Sequence, residues 1–359
     1  MGKTNRITKR LLGMLLALCL VIGTVFSGAN IISTKAATTK TPVATHGRLS
    51  VKGADLVDSK GNKFQLRGIS THGINWDVGA PYVNKAAFKK LRDDWGVNAI
   101  RLAMYTAEYN GYCSGGNKSE LRKLVDKGVK YATELGMYVI IDWHILNDGN
   151  PKTNMSEAKR FFNTMSKKYK NHKNVLYEIC NEPNGCDWTT IKSYATQLIK
   201  TIRKNDKKAV IIVGTPTWCQ LGSDGTHNEV ADSPIKGQKN IMYSLHFYAS
   251  EWAHSEYLPA KLDYARKKKL PVIVSEFGLS AANGDGAIDK AQADKWFKQL
   301  NKYNISYFCW SLSNKNESAS LLSPSTTKTS GFRVSDLSEA GKYIRTKYRA
   351  RRKKLGKRA

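Results

Sequence analysis

The sequence predicts an α/β fold, a closed (β/α)8 TIM barrel preceded by a short N-terminal β-hairpin. Short apolar runs rich in Ile, Val and Tyr alternate at regular intervals with amphipathic helical stretches, and eight such runs are present. No Gly-rich phosphate loop follows an early run, which the competing doubly wound open sheet would lead one to expect. No internal repeat, Pro/Thr linker or second domain is visible.

Taken in order, the chain opens with Lys3, Arg6, Lys9 and Arg10, then an apolar run to about Phe26 broken by Gly13 and Gly23, then small residues up to Ala36 and Ala37. This reads as a secretory signal peptide over residues 1–36 rather than a retained anchor, so the protein is expected to be secreted. A Thr-rich spacer follows over 37–47. Between Leu49 and Leu66, two alternating stretches flank Asp58-Ser59-Lys60-Gly61-Asn62, a hairpin signature expected to close the barrel floor. The barrel strands are expected over 65–70, 98–104, 138–143, 175–180, 209–214, 240–246, 271–275 and 305–312. Helices are expected over 85–95, 120–135, 156–170, 188–205, 259–269 and 289–303, each with an apolar stripe toward the barrel and lysines toward water. The catalytic domain is placed at 48–345, the Ser/Thr-rich segment 323–330 in the loop after the last strand, and a basic tail at 346–359.

The formal charge is +29. Five positive charges, Lys3, Arg6, Lys9, Arg10 and Lys35, leave with the leader, and 29 less 5 leaves +24. Much of the remainder lies after Gly341, at Lys342, Arg345, Lys347, Arg349, Arg351, Arg352, Lys353, Lys354, Lys357 and Arg358. An export signal removes nucleic acid as the usual partner, and no recognition motif accompanies the charge. Two readings of the tail remain, adhesion to an anionic cell wall and a solvated, disordered end. Cys113, Cys180, Cys186, Cys219 and Cys309 match no zinc or redox spacing. Cys180 and Cys309 fall in strands and read as buried small hydrophobes, whereas pairing of Cys113 with Cys186 stays open.

In such a barrel, catalytic groups collect at the carboxyl ends of the strands. That rim reads His72, Arg101, His144, Asn181-Glu182, Trp218, His246, Tyr248, Glu276 and Trp310. Two glutamates on separate strand ends suit cleavage of a glycosidic bond, one donating a proton to the leaving oxygen and one attacking the anomeric carbon. Arg101 lies in an otherwise apolar strand, where an unpaired guanidinium is costly, and Glu276 is its natural carboxylate partner. A metal site built from His72, His144, His246 and a glutamate is the chemical rival. No His-x-His pair ends the first strand and no aspartate closes the last, so no metal and no cofactor are expected.

The run Val175-Leu176-Tyr177-Glu178-Ile179-Cys180-Asn181-Glu182-Pro183-Asn184 resembles the signature of glycoside hydrolase family 5, the retaining barrel glycosidases. Further matches are Arg67 to Gly73, Ile100 to Thr106, Ile141-Asp142-Trp143-His144, Leu245-His246-Phe247-Tyr248, Ser275-Glu276-Phe277-Gly278 and Trp310 to Glu317. The likeness runs from about Gly47 to Tyr343 and is greatest to the secreted bacterial endo-1,4-β-glucanases. One departure is Trp218-Cys219-Gln220, where relatives more often carry Ser in the middle. The resemblance implies Glu182 as proton donor and then base, and Glu276 as nucleophile. It further implies Asn181 on the sugar 2-hydroxyl, Arg101 and Tyr248 orienting Glu276, and His144 and His246 as supporting or sugar contacts.

Aromatic platforms should stack on pyranose faces, Trp310 first, then Trp76, Tyr105, Trp188 and Trp218. His72, Asp77, Ala282, Asn283, Lys315 and Glu317 are the remaining substrate-binding candidates, in an open groove without a long lid. The expected partner is a β-1,4-glucan, bound by a monomer. A mannanase, xylanase or mixed-linkage glucanase would use the same glutamate pair. A silent polysaccharide-binding protein would keep the platforms without needing both glutamates and Arg101. With no carbohydrate-binding module apparent, soluble or amorphous glucan is expected to be preferred over crystalline fibre.

Overall fold

Eight parallel strands close on themselves in the computed structural model, which describes residues 40–356. They are β3 (Arg67–Thr71), β4 (Ala99–Tyr105), β5 (Tyr138–His144), β6 (Val175–Glu178), β7 (Ile211–Val213), β8 (Ile241–Tyr248), β9 (Val272–Gly278) and β10 (Tyr307–Leu312). The ring runs in chain order and is sealed where β10 pairs with β3, Tyr307 opposite Arg67. Every residue of these strands is buried, as expected of a parallel sheet covered by helices outside and side chains inside. The leader expected over 1–36 lies outside the described residues. Among the described residues, no helix is long and apolar enough to cross a membrane.

Because side chains alternate along a strand, the barrel interior is built in layers. The lower layer is apolar and joins Ala99, Ile140, Leu176, Ile212, Met242, Ile273 and Phe308 to Leu49, Leu56, Phe64 and Leu66 from the N-terminal segment. Two residues further along the same strands stand Arg101, Asp142, Glu178, Ser244 and Ser275. The polar layer therefore begins one strand period above the plug.

The hairpin does sit on the floor, but its turn differs from the expected one. β1 (Ser50–Lys52) and β2 (Asp55–Val57) pair with Lys52 opposite Asp55, so the tight turn is Gly53-Ala54, where Gly53 supplies a φ of 59°. The Asp58–Asn62 stretch forms a second turn, its Asp58 carboxylate accepting the amides of Lys60 and Asn62 at 2.9 Å each, and it leads to a bridge between Val57 and Lys63. The spacer is also ordered at its end: α1 (Pro42–His46) is capped by Thr41 and docks through the Val43 amide on the Gly136 carbonyl.

The outer helices are α2 (Lys85–Lys90), α3 (Lys118–Glu134), α4 (Met155–Tyr169), α5 (Trp188–Arg203), α6 (Trp252–Lys267) and α7 (Lys290–Tyr303). Asn117, Asp187 and Asp289 cap α3, α5 and α7 by accepting amides of their first turns. The expected 85–95 helix ends in a π-type turn over Leu91–Trp95. α6 begins seven residues before the expected start at Pro259, which lies inside it. Proline signals a helix start only where the chain before it is not already helical.

The basic tail requires a larger correction. Helix α8 (Glu339–Leu355) runs straight through the expected boundary at 345/346 and is packed on the barrel. Ile344 and Tyr348 are buried, and the Tyr348 hydroxyl donates to the Gly68 carbonyl at 2.9 Å. Arg345 grips Asp94 with two nitrogens at 2.8 and 2.9 Å, Arg349 reaches the same carboxylate, and Arg352 caps the carbonyls of Arg92 and Asp93. Apolar side chains at i and i+4 with paired arginines make it a structural strap rather than a disordered end. Cys113, Cys180, Cys186, Cys219 and Cys309 are all free thiols, so the open pairing of Cys113 with Cys186 is not made.

Candidate active site

A cleft of about 620 Å³ opens at the carboxyl ends of the barrel strands. Of the residues singled out from the sequence, Glu182, Glu276, His246, Tyr248, His72, Trp76, Tyr105, Trp218, Ala282, Asn283, Trp310, Lys315 and Glu317 line it. Arg101, Asn181 and His144 lie directly beneath, fully or almost fully buried. Asp77 is exposed on the turn beyond Trp76 and is not part of the lining. Trp188 falls elsewhere: it is buried at the start of α5, with its indole nitrogen on the Ser233 carbonyl, so it is no platform for this cleft.

The two glutamates converge as the strand ends require. Glu182 follows β6, Glu276 is within β9, and one carboxylate oxygen of each lies within 4.8 Å of the other, with a ring nitrogen of His246 inside that distance of both. Their surroundings differ. Glu276 accepts from Arg101 Nη1 at 2.8 Å and from the Tyr248 hydroxyl at 2.8 Å. Burial and the Glu276 and Glu182 charges hold the Tyr248 proton on its oxygen, well above the usual phenol range, so the tyrosine remains a donor.

Glu182 has no such cation in direct contact. Burial pushes its carboxyl up to about 8, Arg101 opposing and Asp142 and Glu178 adding to the rise. Its oxygen meets His246 Nδ1 at 2.8 Å. Burial lowers His246 to about 4, so the ring is neutral at pH 7. A protonated Glu182 then donates to Nδ1, and the Nε2–H donates to Ser275 Oγ at 2.9 Å. From there Ser244 Oγ joins Ser275 Oγ at 2.9 Å and Glu178 at 3.1 Å. The acid's proton is thus held at the end of a chain of hydrogen bonds running down into the polar layer.

Arg101 has more partners than the expected one. It contacts Glu276, but also Glu178 at 2.7 Å, Asp142 at 3.1 Å and the Asn181 side-chain oxygen at 2.5 Å. Burial works against its charge, yet the three carboxylates hold the guanidinium well above its ordinary value. His144 Nδ1 lies 2.6 Å from Asp142 and Nε2 lies 3.2 Å from Asn181 Nδ2. Burial drives His144 well below the ordinary imidazole range, so the neutral ring donates to Asp142 and accepts from Asn181. The second Asn181 N–H goes to the Ile145 carbonyl at 3.1 Å. With both donors engaged, the free capacity of Asn181 is the remaining lone pair of its Oδ1.

At the cleft's other corner, Lys315 pairs with Glu317, whose second oxygen lies 3.7 Å from His72 Nε2. Trp310 stacks on His144 at 5.3 Å and 20°, and Tyr105 sits 4.5 Å from the Trp76 ring. Opposite, Thr217, Trp218, Cys219 and Leu221 all hold left-handed φ values between 51° and 65°. Such a run is strained for non-glycine residues and persists only when the surroundings impose it. Here the Trp218 amide donates to the Pro183 carbonyl at 3.2 Å and the Cys219 thiol to the Asn181 carbonyl at 2.8 Å. These bonds tie the half-exposed Trp218 to the segment carrying Glu182.

Asp142, Glu178 and Ser275 were not assigned roles from the sequence, although the first two are charges in apolar strands, the same signal that marked Arg101. Glu108, Leu146, Gln220, Glu251, His254 and Gly284 also line the cleft. All but His254, which stands in the first turn of α6, lie in loops, where no periodicity points to them. The rival metal set is not assembled: both ring nitrogens of His144 are spent on Asp142 and Asn181, and His72 faces Glu317. Glu182, His246 and Glu276 are near enough to share a cation, but both His246 nitrogens already serve Glu182 and Ser275.

A family profile described as Cellulase (glycosyl hydrolase family 5) matches residues 57–316. The chain is 44% identical over 303 residues to Endoglucanase A of Butyrivibrio fibrisolvens, covering 83% of this chain and 68% of that one. It is 41% identical over 333 residues to Endoglucanase 5 of Pectobacterium carotovorum, covering 92% of this chain and 63% of that one. Among solved structures it is similar to a variant catalytic domain of the Thermobifida fusca endoglucanase Cel5A in complex with cellotetraose. That likeness has a TM-score of 0.81 and 37% identity, covering 86% of this chain and all of the other.

Proposed function

This chain belongs to glycosyl hydrolase family 5 as a glycoside hydrolase of the endoglucanase type, and on that premise we propose that it cuts internal β-1,4-glucosidic bonds with retention of configuration. The observation that carries this reading is the approach of Glu182 and Glu276 to within 4.8 Å across the cleft. Retaining glycosidases keep their carboxyl groups about 5–5.5 Å apart, whereas inverting ones leave about 6.5–9.5 Å for a water.

In the first step Glu276 attacks the anomeric carbon while Glu182 protonates the departing glycosidic oxygen, which takes the bonding pair. Arg101 and Tyr248 hold the attacking carboxylate in place. Glu182, protonated at neutral pH because of its burial, is ready as the acid. In the second step Glu182, now a carboxylate, removes a proton from water, the hydroxide equivalent attacks the anomeric carbon, and Glu276 leaves. Asn181 Oδ1 accepts from the sugar 2-hydroxyl, a bond that strengthens as positive charge develops on the ring.

Trp310, Trp76, Tyr105 and Trp218 offer the faces on which successive pyranose rings stack. β-Glucan as substrate is supported by the endoglucanase names of the relatives and the cellotetraose bound by the Thermobifida fusca enzyme. The leader read at residues 1–36 fits an enzyme exported to meet an insoluble polymer.

The test is release of reducing ends from carboxymethylcellulose, mannan and xylan by the parent and by Glu182→Ala and Glu276→Ala. The expected outcome is activity on the glucan, lost in both variants, with the new anomeric centre formed in the β configuration. Variants as active as the parent, or an α product, would overturn the mechanism; greater activity on mannan or xylan would overturn the substrate.

A further inference from the structure

A second groove, of about 470 Å³, lies on the flank of the barrel between α6 and α7, lined by Trp252, Ser255, Pro259, Gln292, Trp296 and Gln299, with the charged Glu256 and Lys295 completing its wall. Its outer wall is Trp252, 68% exposed, the most exposed tryptophan among the described residues. The ring is nonetheless fixed: it stands T-shaped to Tyr257 at 5.7 Å and 80°, and Tyr257 in turn lies against Gly225. A contact of this kind sets the plane of the indole while most of its surface stays exposed.

Polar groups with spare hydrogen-bonding capacity face the same space. Pro259 has no N–H, so the Ser255 carbonyl four residues earlier lacks its i→i−4 donor. Among the described residues, the Gln292 side-chain amide has no hydrogen-bond partner, only its backbone N–H being used, on Asp289. Gln299 spends its N–H groups on the Pro259 carbonyl and on Asp263, both at 2.9 Å, leaving its oxygen to accept. An oriented apolar ring beside hydrogen-bonding groups, here a carbonyl, two amides, Glu256 and Lys295, is how a protein meets a pyranose, with one C–H face and a rim of hydroxyls. The groove is also continuous with the reaction site along the chain: Glu251, which precedes Trp252, lines the catalytic cleft.

We propose that this groove is a second, non-catalytic saccharide-binding site that holds a strand of the same β-glucan polymer against the barrel flank. The proposal rests on the glucan reading of the catalytic cleft.

The test compares the parent, Trp252→Ala and Trp252→Tyr. Trp252 is exposed, so neither variant threatens the fold. Hydrolysis of cellotetraose should be unchanged in all three. Retardation in native gels containing hydroxyethylcellulose is read in a Glu276→Gln background, so that the polymer is not digested. Binding should weaken roughly threefold to tenfold for Trp252→Ala, the scale of one lost aromatic contact, and largely recover in Trp252→Tyr. Equal retardation of parent and Trp252→Ala would overturn the site. Loss of cellotetraose turnover in Trp252→Ala would overturn its separateness by placing Trp252 in the catalytic cleft. A parent that neither hydrolyses cellotetraose nor is retarded by the polymer would instead overturn the glucan reading, and the groove's ligand with it.

Discussion

Two layers of the same barrel, one strand period apart, are made of opposite materials. The lower layer, with Ile140, Leu176, Met242 and Ile273, is an apolar plug sealed by the N-terminal segment. The upper layer, with Asp142, Glu178, Ser244 and Ser275, surrounds Arg101 and is bound by hydrogen bonds and charge. Both are fully buried, so burial alone does not separate structure from chemistry. What separates them is how their loss would be felt: the plug holds the fold, and the ionic layer tunes and aims the carboxylates above it.

The comparison predicts distinct responses. Glu276→Gln, at the top of the ionic layer, should lower kcat by roughly 10³-fold or more while the Tm stays near the parent value; a Tm collapse would show that the layer is chiefly structural. Arg101→Met should cost both properties. Three carboxylates left without their cation destabilise by about 3–5 kcal/mol, measurable by urea unfolding, and activity should fall with the loss of the Glu276 contact. Ile140→Ala, two residues before Asp142, should cost about 2–5 kcal/mol of stability and leave kcat/KM unchanged. A matching loss of activity would mean the plug also positions the catalytic groups.

Ionisation gives a finer test. The folded state holds the Glu182 proton up to about 8, above the ordinary 4.5, so this group's contribution to stability is fully present below about 4.5 and is lost as pH rises through about 8. Activity should fall over the same alkaline limb as the acid is lost, and Glu182→Gln should flatten the decline of Tm between those values. The smallest effect is expected of Ser244→Ala, which removes one bridge between Glu178 and Ser275. About 1–3 kcal/mol of stability should be lost, with a shifted alkaline limb and no change in KM.

Much of the architecture was legible because a parallel barrel strand is a short apolar run and the outer helices carry regular stripes. Arg101 was legible for the opposite reason, a cation where burial forbids an unpaired one. Asp142 and Glu178 carry the same signal, but only the strand register, which sets Asp142 opposite Glu178, reveals that they share Arg101 with Glu276. Gln220 and Glu251 were beyond reach because loop paths follow no period, and His254 because α6 begins before the expected start at Pro259. Trp188 misled because a helix-start tryptophan has the same local signature whether it packs inward or faces a cleft. In α8 the density of arginine and lysine masked the Ile344 and Tyr348 stripe that docks it.

The seam between β10 and β3 joins residues about 240 positions apart, with α8 still to follow. The ring has no partial form in which its first strand is satisfied on both sides, so during synthesis β3 must wait, one edge unpaired, until β10 has been made. Truncation before Tyr348 would leave that late-closing seam without its strap, and clones trimmed at the apparent end of the catalytic region should give aggregated protein where those ending after Gly356 give soluble enzyme.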